Sequence, residues 1–284
     1  MSVIQVGLVD TTGKLDQNLV RETAAALNIQ VMRDLTQFWN VKATIRYLTD
    51  PNRIPPGVWP VFLVASLPPG EGGVHLDKKN QPYSLVIGTP GSDDWTIDAS
   101  HETVEMLVDP SGNRLQTSQA IAIVDGKIGD TSGQFEYLVE ACDPCEGNQY
   151  AYSVQGIAVS DFITPHFYDP TATAGTRYSF GGNISRPREV LPGGYISYVN
   201  TQSDEWEQIL YLGKTPQLKE LGSASNKEEI RSFRALIDNK TRQSVRDSRK
   251  PNHALMDFLK VHRKKIDAAA ARRGGVYQEL LNRR

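Results

Sequence analysis

The chain has 284 residues, of which 39% are hydrophobic and 23% charged, with a formal net charge of −2; this is the profile of a soluble globular protein with a sizeable core. No apolar run approaches the roughly 18 residues that cross a bilayer, and two cysteines, Cys142 and Cys145, are too few for a secreted disulfide framework. The opening MSVIQVGLVD lacks the basic and apolar blocks of a secretory signal, so the expected location is cytoplasmic and no membrane partner is expected.

Residues 3–9 (VIQVGLV) read as a strand. Leu15, Leu19, Leu27, Val31, Leu35 and Phe38 then recur at close to four-residue spacing, one apolar face of a helix of roughly six turns. VKATIRYL (41–48) reads as a strand stopped by Asp50-Pro51, because a residue before proline is pushed out of the helical region and turns the chain. VFLVASL (61–67) and YSLVIG (83–88) are further strands, separated by the glycine-rich turn PPGEGG. A helix capped by Thr96 or Asp98 and closed by Asp109-Pro110 comes next, followed by short strands at 120–124, 135–140 and 152–159.

Charge divides the chain. Residues 1–200 hold 13 Lys/Arg against 22 Asp/Glu, a net −9, while residues 201–284 hold 18 against 11, a net +7. The expected organisation is an α+β domain over 1–205 and a basic helical extension over 206–284, with helices at 226–248 and 252–271. In the second of these, Leu255, Leu259 and Ile266 form a thin apolar stripe beside His262, Arg263, Lys264 and Lys265. Such helices suit self-association or an acidic partner; nucleic acid is not the expected partner.

The chemistry concentrates in SHETVEMLVDPSGNR (100–114). On a helix, His101, Glu105 and Asp109 fall within roughly 80° of one another on one face, so His101 and Glu105 can grip one ion. Glu102, one step round, is placed as a general base beside a metal-bound water. An ordinary amphipathic helix produces the same His-Glu pair, since acidic residues suit a first turn. Asp109 stands at a helix C-terminus, where the dipole disfavours negative charge; Arg114 or the ion itself is its expected partner, with Asp109 behind the ligands rather than among them.

A third ligand is needed. VEACDPCEGNQY (139–150) gathers Glu140, Asp143 and Glu146, which a cation would neutralise if they are buried; the alternative is a solvated acidic turn. Cys142 and Cys145 read as two partly buried thiols or as a local pair that staples the loop, since the βαβ frame of a redox pair is not evident and other cysteines for a Cys₄ zinc site are lacking. His75 and His166 are isolated and read as core or surface histidines.

WTIDASHETVEMLVDPSGNR, with IPPGVWPVFLV upstream and VEACDPCE and VQGIAVSDFITP downstream, resembles a group of uncharacterised bacterial proteins carrying S-H-E-x-x-E-M-L-x-D-P, over about residues 15–200. More distantly, the S-H-E-x-x-E and E-x-x-D-x-C-E segments are similar to the plant EXORDIUM, or phosphate-induced, proteins. The combination also resembles variant (HExxE) gluzincin metallopeptidases. That resemblance implies a zincin-like fold, a mixed sheet with a long N-terminal helix and an active-site helix. It implies His101 as first ligand, Glu102 as base, Glu105 in place of the second histidine, Glu140 as third ligand and Asp143 as the carboxylate orienting His101.

One imidazole and two carboxylates neutralise a divalent ion, which makes a bound water less acidic and the site harder. Zn²⁺ is expected first, with Mn²⁺ or Ca²⁺ also suited. The expected function is a metal-dependent hydrolase, a peptidase acting on a peptide or protein, with Tyr195 or Tyr178 to polarise the oxyanion. The alternative is a non-catalytic metal-binding or interaction protein that keeps a degenerate metallopeptidase fold.

Overall fold

The computed structural model describes residues 3–68, 72–224 and 232–246. It is an α+β protein built on two five-stranded sheets. The first sheet contains β1 (Ile4–Asp10), β2 (Ala43–Leu48), β3 (Val58–Val64), β4 (Gly73–Asp77) and β5 (Pro82–Ile87), in the order β2-β1-β3-β5-β4. Four of these strands are parallel, and β4 runs antiparallel along the β5 edge. Val6, Leu8 and Val9 of β1 are fully buried, which is why that strand reads as a continuous apolar run rather than an alternation.

Between β1 and β2 lies α1 (Gln17–Ile29), which continues through a π-helical turn (Gln30–Asp34) and a 3₁₀ turn (Leu35–Gln37). The long helix read from the leucine spacing is therefore present but changes its winding at Gln30. The extra residue in a π turn re-aims side chains. Here Gln30 is buried, donates to the Ser160 carbonyl at 3.0 Å and accepts from the Ser100 hydroxyl at 2.9 Å.

The helix with the motif, α2 (Trp95–Val108), is not an amphipathic surface helix: every residue except Asp98 is buried. It touches α1, β4 and β5, and with α1 it covers β9 (Ile157–Val159), the second strand of a hairpin with β8 (Tyr152–Val154). Neither Thr96 nor Asp98 caps it. Asp94 holds the N-cap position without a side-chain bond, and the Thr96 hydroxyl instead donates to the Ala158 carbonyl at 2.9 Å.

The second sheet is antiparallel throughout, with β6 (Leu115–Val124), β7 (Lys127–Leu138), β10 (Tyr195–Asn200), β11 (Glu205–Leu210) and β12 (Gln217–Ser223) in the order β12-β11-β10-β7-β6. Asp125 and Gly126 make the two-residue β6–β7 turn with φ of 51° and 71°, the left-handed pair that matches strand twist. The division expected at residue 205 falls inside this sheet, because Glu205 opens β11 and pairs with Asn200 and Ser223. β4, β10, β11 and β12 had no counterpart in the sequence reading.

Within the expected helix at 226–248, the structure describes α3 (Phe233–Arg246). It packs on the second sheet through Ile237, Phe233 and Leu236 against Leu138, Val199, Trp206 and Leu221. The helix expected at 252–271 lies outside the described residues. No described helix is long and apolar enough to cross a membrane.

Candidate metal centre

Rigid elements hold the cluster. His101, Glu102 and Glu105 sit on α2, and the 139–150 loop passes beneath it with Glu140, Cys142 and Asp143. Ser100 fastens the helix on two sides, donating to Gln30 and accepting the Ser160 N–H at 2.9 Å. At the far end the Asp109 carboxylate accepts the Arg114 backbone N–H at 2.7 Å, while the Arg114 guanidinium donates to the Val108 carbonyl at 3.1 Å. Arg114 is thus the partner of Asp109, through its backbone, and its side chain caps the helix where the dipole favours a cation.

The i,i+4 geometry does what the spacing requires: Nε2 of His101 lies 3.3 Å from Oε2 of Glu105. Asp143 Oδ1 lies 3.2 Å from the same nitrogen, so Asp143 stands on the ligating side of His101 rather than on Nδ1, where an orienting carboxylate would be. Glu105 divides its two oxygens. Oε1 accepts the Cys142 N–H at 3.1 Å, and Oε2 faces His101, His75 Nδ1 at 3.6 Å and Arg234 Nη1 at 2.7 Å. Arg234 Nη1 also donates to Oε2 of Glu140 and lies 3.6 Å from Oδ2 of Asp143.

Among the described residues, three groups have donor atoms converging within 4.8 Å: His101, Glu105 and Cys142; His75, Glu102 and Glu105; and Glu105, Glu140 and Asp143. Glu105 belongs to all three. None of these residues is more than 3% exposed, so the 139–150 loop is not a solvated acidic turn.

Electrostatics show an imbalance. Burial alone would raise the pKa of Glu105, but His101 and Arg234 beside it hold it well below the carboxylate range. Burial opposes charge on His101, yet Glu105, Asp143 and Glu102 outweigh it and raise its pKa well above the ordinary value. Glu140 is driven well above its ordinary value by burial, only partly offset by Arg234. Asp143 is pushed up to about 7 by burial and then by the Glu105 charge. One guanidinium and one imidazolium do not balance these carboxylates, so protons make up the difference.

Unsatisfied atoms gather in the same place. Both nitrogens of His75, Oε2 of Glu102, Oε1 of Glu140 and both carboxylate oxygens of Asp143 are buried without a hydrogen bond of good geometry. Native proteins leave few such groups. A cation bound among these donors would supply partner and charge together, so the donor set fits a divalent ion.

Sequence reasoning missed two residues here. His75, read as isolated, is 2% exposed on β4 and lies 3.5 Å from Oε2 of Glu102. The β4 backbone lies against that glutamate, and a Cβ at Gly73 would come within 2.6 Å of Glu102 Cγ. Arg234 arrives from α3, 129 residues beyond Glu105, a distance no local pattern reports.

Tyr178 spends its hydroxyl accepting the Thr173 N–H at 2.7 Å, and Tyr195 packs with Leu210 and Leu212. The Tyr168 phenol is raised by burial and then by the Glu140 charge. Cys142 and Cys145 are free and fully buried thiols, with Cys142 Sγ donating to the His101 carbonyl at 3.8 Å. A βαβ unit does exist, β1-α1-β2, but the cysteines lie outside it. His166 is half-exposed and pairs with Asp169 at 2.8 Å. No protein-family model, no curated protein and no solved structure matches the chain.

Proposed function

We propose that the chain is a divalent-metal-dependent hydrolase of zincin-like fold acting on peptide bonds, with the ion held by His101, Glu105 and the carboxylates of the 139–150 loop and with Glu102 as general base. The observation that carries the reading is convergence without neutrality: His101, Glu105, Glu140 and Asp143 meet at one buried place that the local cations do not balance. The antiparallel edge strand β4 beside α2 and the S-H-E-x-x-E-M-L-x-D-P signature support the zincin-like assignment. Asp143, 3.2 Å from Nε2 of His101, joins Glu140 as a candidate third ligand.

Zn²⁺ suits the mixed donors best, because Cys142 adds a soft sulfur beside His101 and Glu105; the carboxylates by themselves suit Mn²⁺ or Ca²⁺. A bound divalent ion supplies Lewis acidity and lowers the pKa of water. Glu102 would be the general base for such a water, and His75 Nδ1 lies 3.5 Å from its carboxylate.

Metal analysis of protein purified without chelator, paired with Glu102→Gln, tests this. Stoichiometric metal in both proteins, with peptide turnover lost by about 10²-fold or more in the variant, is the expected result. Absence of metal, together with a melting temperature indifferent to chelator, would overturn it. A second reading, a structural ion without turnover, is favoured by the burial of Glu102 to 2% exposure. In that case Glu102→Gln lowers stability and there is no activity to lose.

A further inference from the structure

Arg234 meets the cluster in an unusual way. Its Nη1 reaches Glu105 at 2.7 Å, Glu140, and Asp143 at 3.6 Å. Three carboxylates around one point is the way a protein holds a metal cation. The same three residues form one of the converging donor groups.

The helix that delivers Arg234 is fastened in two parts. Its body rests on the second sheet, with Ile237 1% exposed and Phe233 5.1 Å from the Trp206 ring. Its first turn docks on the loop after α2: Phe233 N–H donates to the Asn113 side chain at 2.9 Å, and Arg234 N–H donates to the Gly112 carbonyl at 3.1 Å. A Cβ at Gly112, where φ is +62°, would lie 2.6 Å from Ser232 Oγ and 2.8 Å from Arg234 Cβ. His101, Glu102 and Glu105 beside it are at most 3% exposed.

We propose that Arg234 is an internal competitor for the metal centre: its guanidinium and a divalent cation exclude one another from Glu105, Glu140 and Asp143, and the first turn of α3 withdraws when the cation binds. The proposal rests on the metal-centre reading above. Arginine does not lose its proton in proteins, so it cannot stay beside a second cation by becoming neutral. It has to move.

The test uses full-length protein titrated with Zn²⁺ in chelator-buffered solution, comparing wild type with Arg234→Gln and with Ile237→Ala, which loosens the helix without touching the cluster. Hydrogen exchange over 233–241 is followed with and without Zn²⁺. Zn²⁺ binding about tenfold or more tighter in Arg234→Gln, in the range usual for coupled sites, is expected. Ile237→Ala should shift affinity in the same direction, and Zn²⁺ should strip exchange protection from α3 in wild type. Equal affinities with unchanged α3 protection would overturn the competition and leave the metal centre standing. No binding by any of the proteins would overturn both. If Arg234→Gln does not fold, exchange in wild type decides alone, since protection that survives loading excludes withdrawal.

Discussion

At the scale of single residues, Glu105 shows what a carboxylate does here that an imidazole would not. A carboxylate has two acceptors, and Glu105 uses one for the Cys142 N–H and the other toward the cations. A neutral imidazole with one nitrogen turned to a metal would present an N–H to Cys142, donor against donor. Glu105→His, which restores H-E-x-x-H on paper, should therefore destabilise the protein by about 1–3 kcal/mol, the cost of an unsatisfied buried donor, and lower metal content. A melt and metal analysis check this; a variant as stable and as metal-loaded as wild type contradicts it. Asp161 offers a cleaner titration away from the cluster. Burial raises its pKa despite hydrogen bonds from Phe162 N at 2.8 Å, Gly181 N at 2.7 Å and Asn183 at 3.0 Å. A folded-state value above the unfolded one gives stability that is complete below about pH 4 and is lost as pH rises through the folded value. The stability gap between wild type and Asp161→Asn should thus move against wild type from about pH 4 toward neutrality, as paired denaturant melts would report.

Elements were legible where their contacts are local. His101 and Glu105 could be paired because four residues on a helix fix their neighbourhood, and β1 and β5 stood out as apolar runs. Five-residue β4 follows a glycine-rich turn and was absorbed into it, so His75 lost its context. β12, QLKELGS, exposes most of its residues and presents charge density rather than strand alternation. The winding change in α1 was invisible, since a leucine spacing tolerates one inserted residue. Yet that change gives α1 its grip on α2: Gln30→Ala removes bonds to Ser160 and Ser100 and should cost about 1–3 kcal/mol. A shift in denaturant midpoint with unchanged m-value measures it, and a neutral substitution would show that the π turn serves another purpose.

For the whole molecule, net charge was a poor guide to architecture. The change of sign near residue 205 is a property of surface composition, whereas the second sheet continues through that position because Trp206 and Ile209 are core residues. The basic segment does not simply hang from an acidic body, for its Arg234 is an interior group. The order of synthesis then acquires a meaning. Arg234 follows Glu140 by 94 residues and Glu105 by 129, so at ordinary elongation speeds the carboxylates are made roughly 5–25 s before their arginine. Under the competition proposed above, a metal ion would meet no internal rival in that interval. On that proposal the history of the chain, as well as its equilibrium, bears on which cation occupies Glu105 and Glu140.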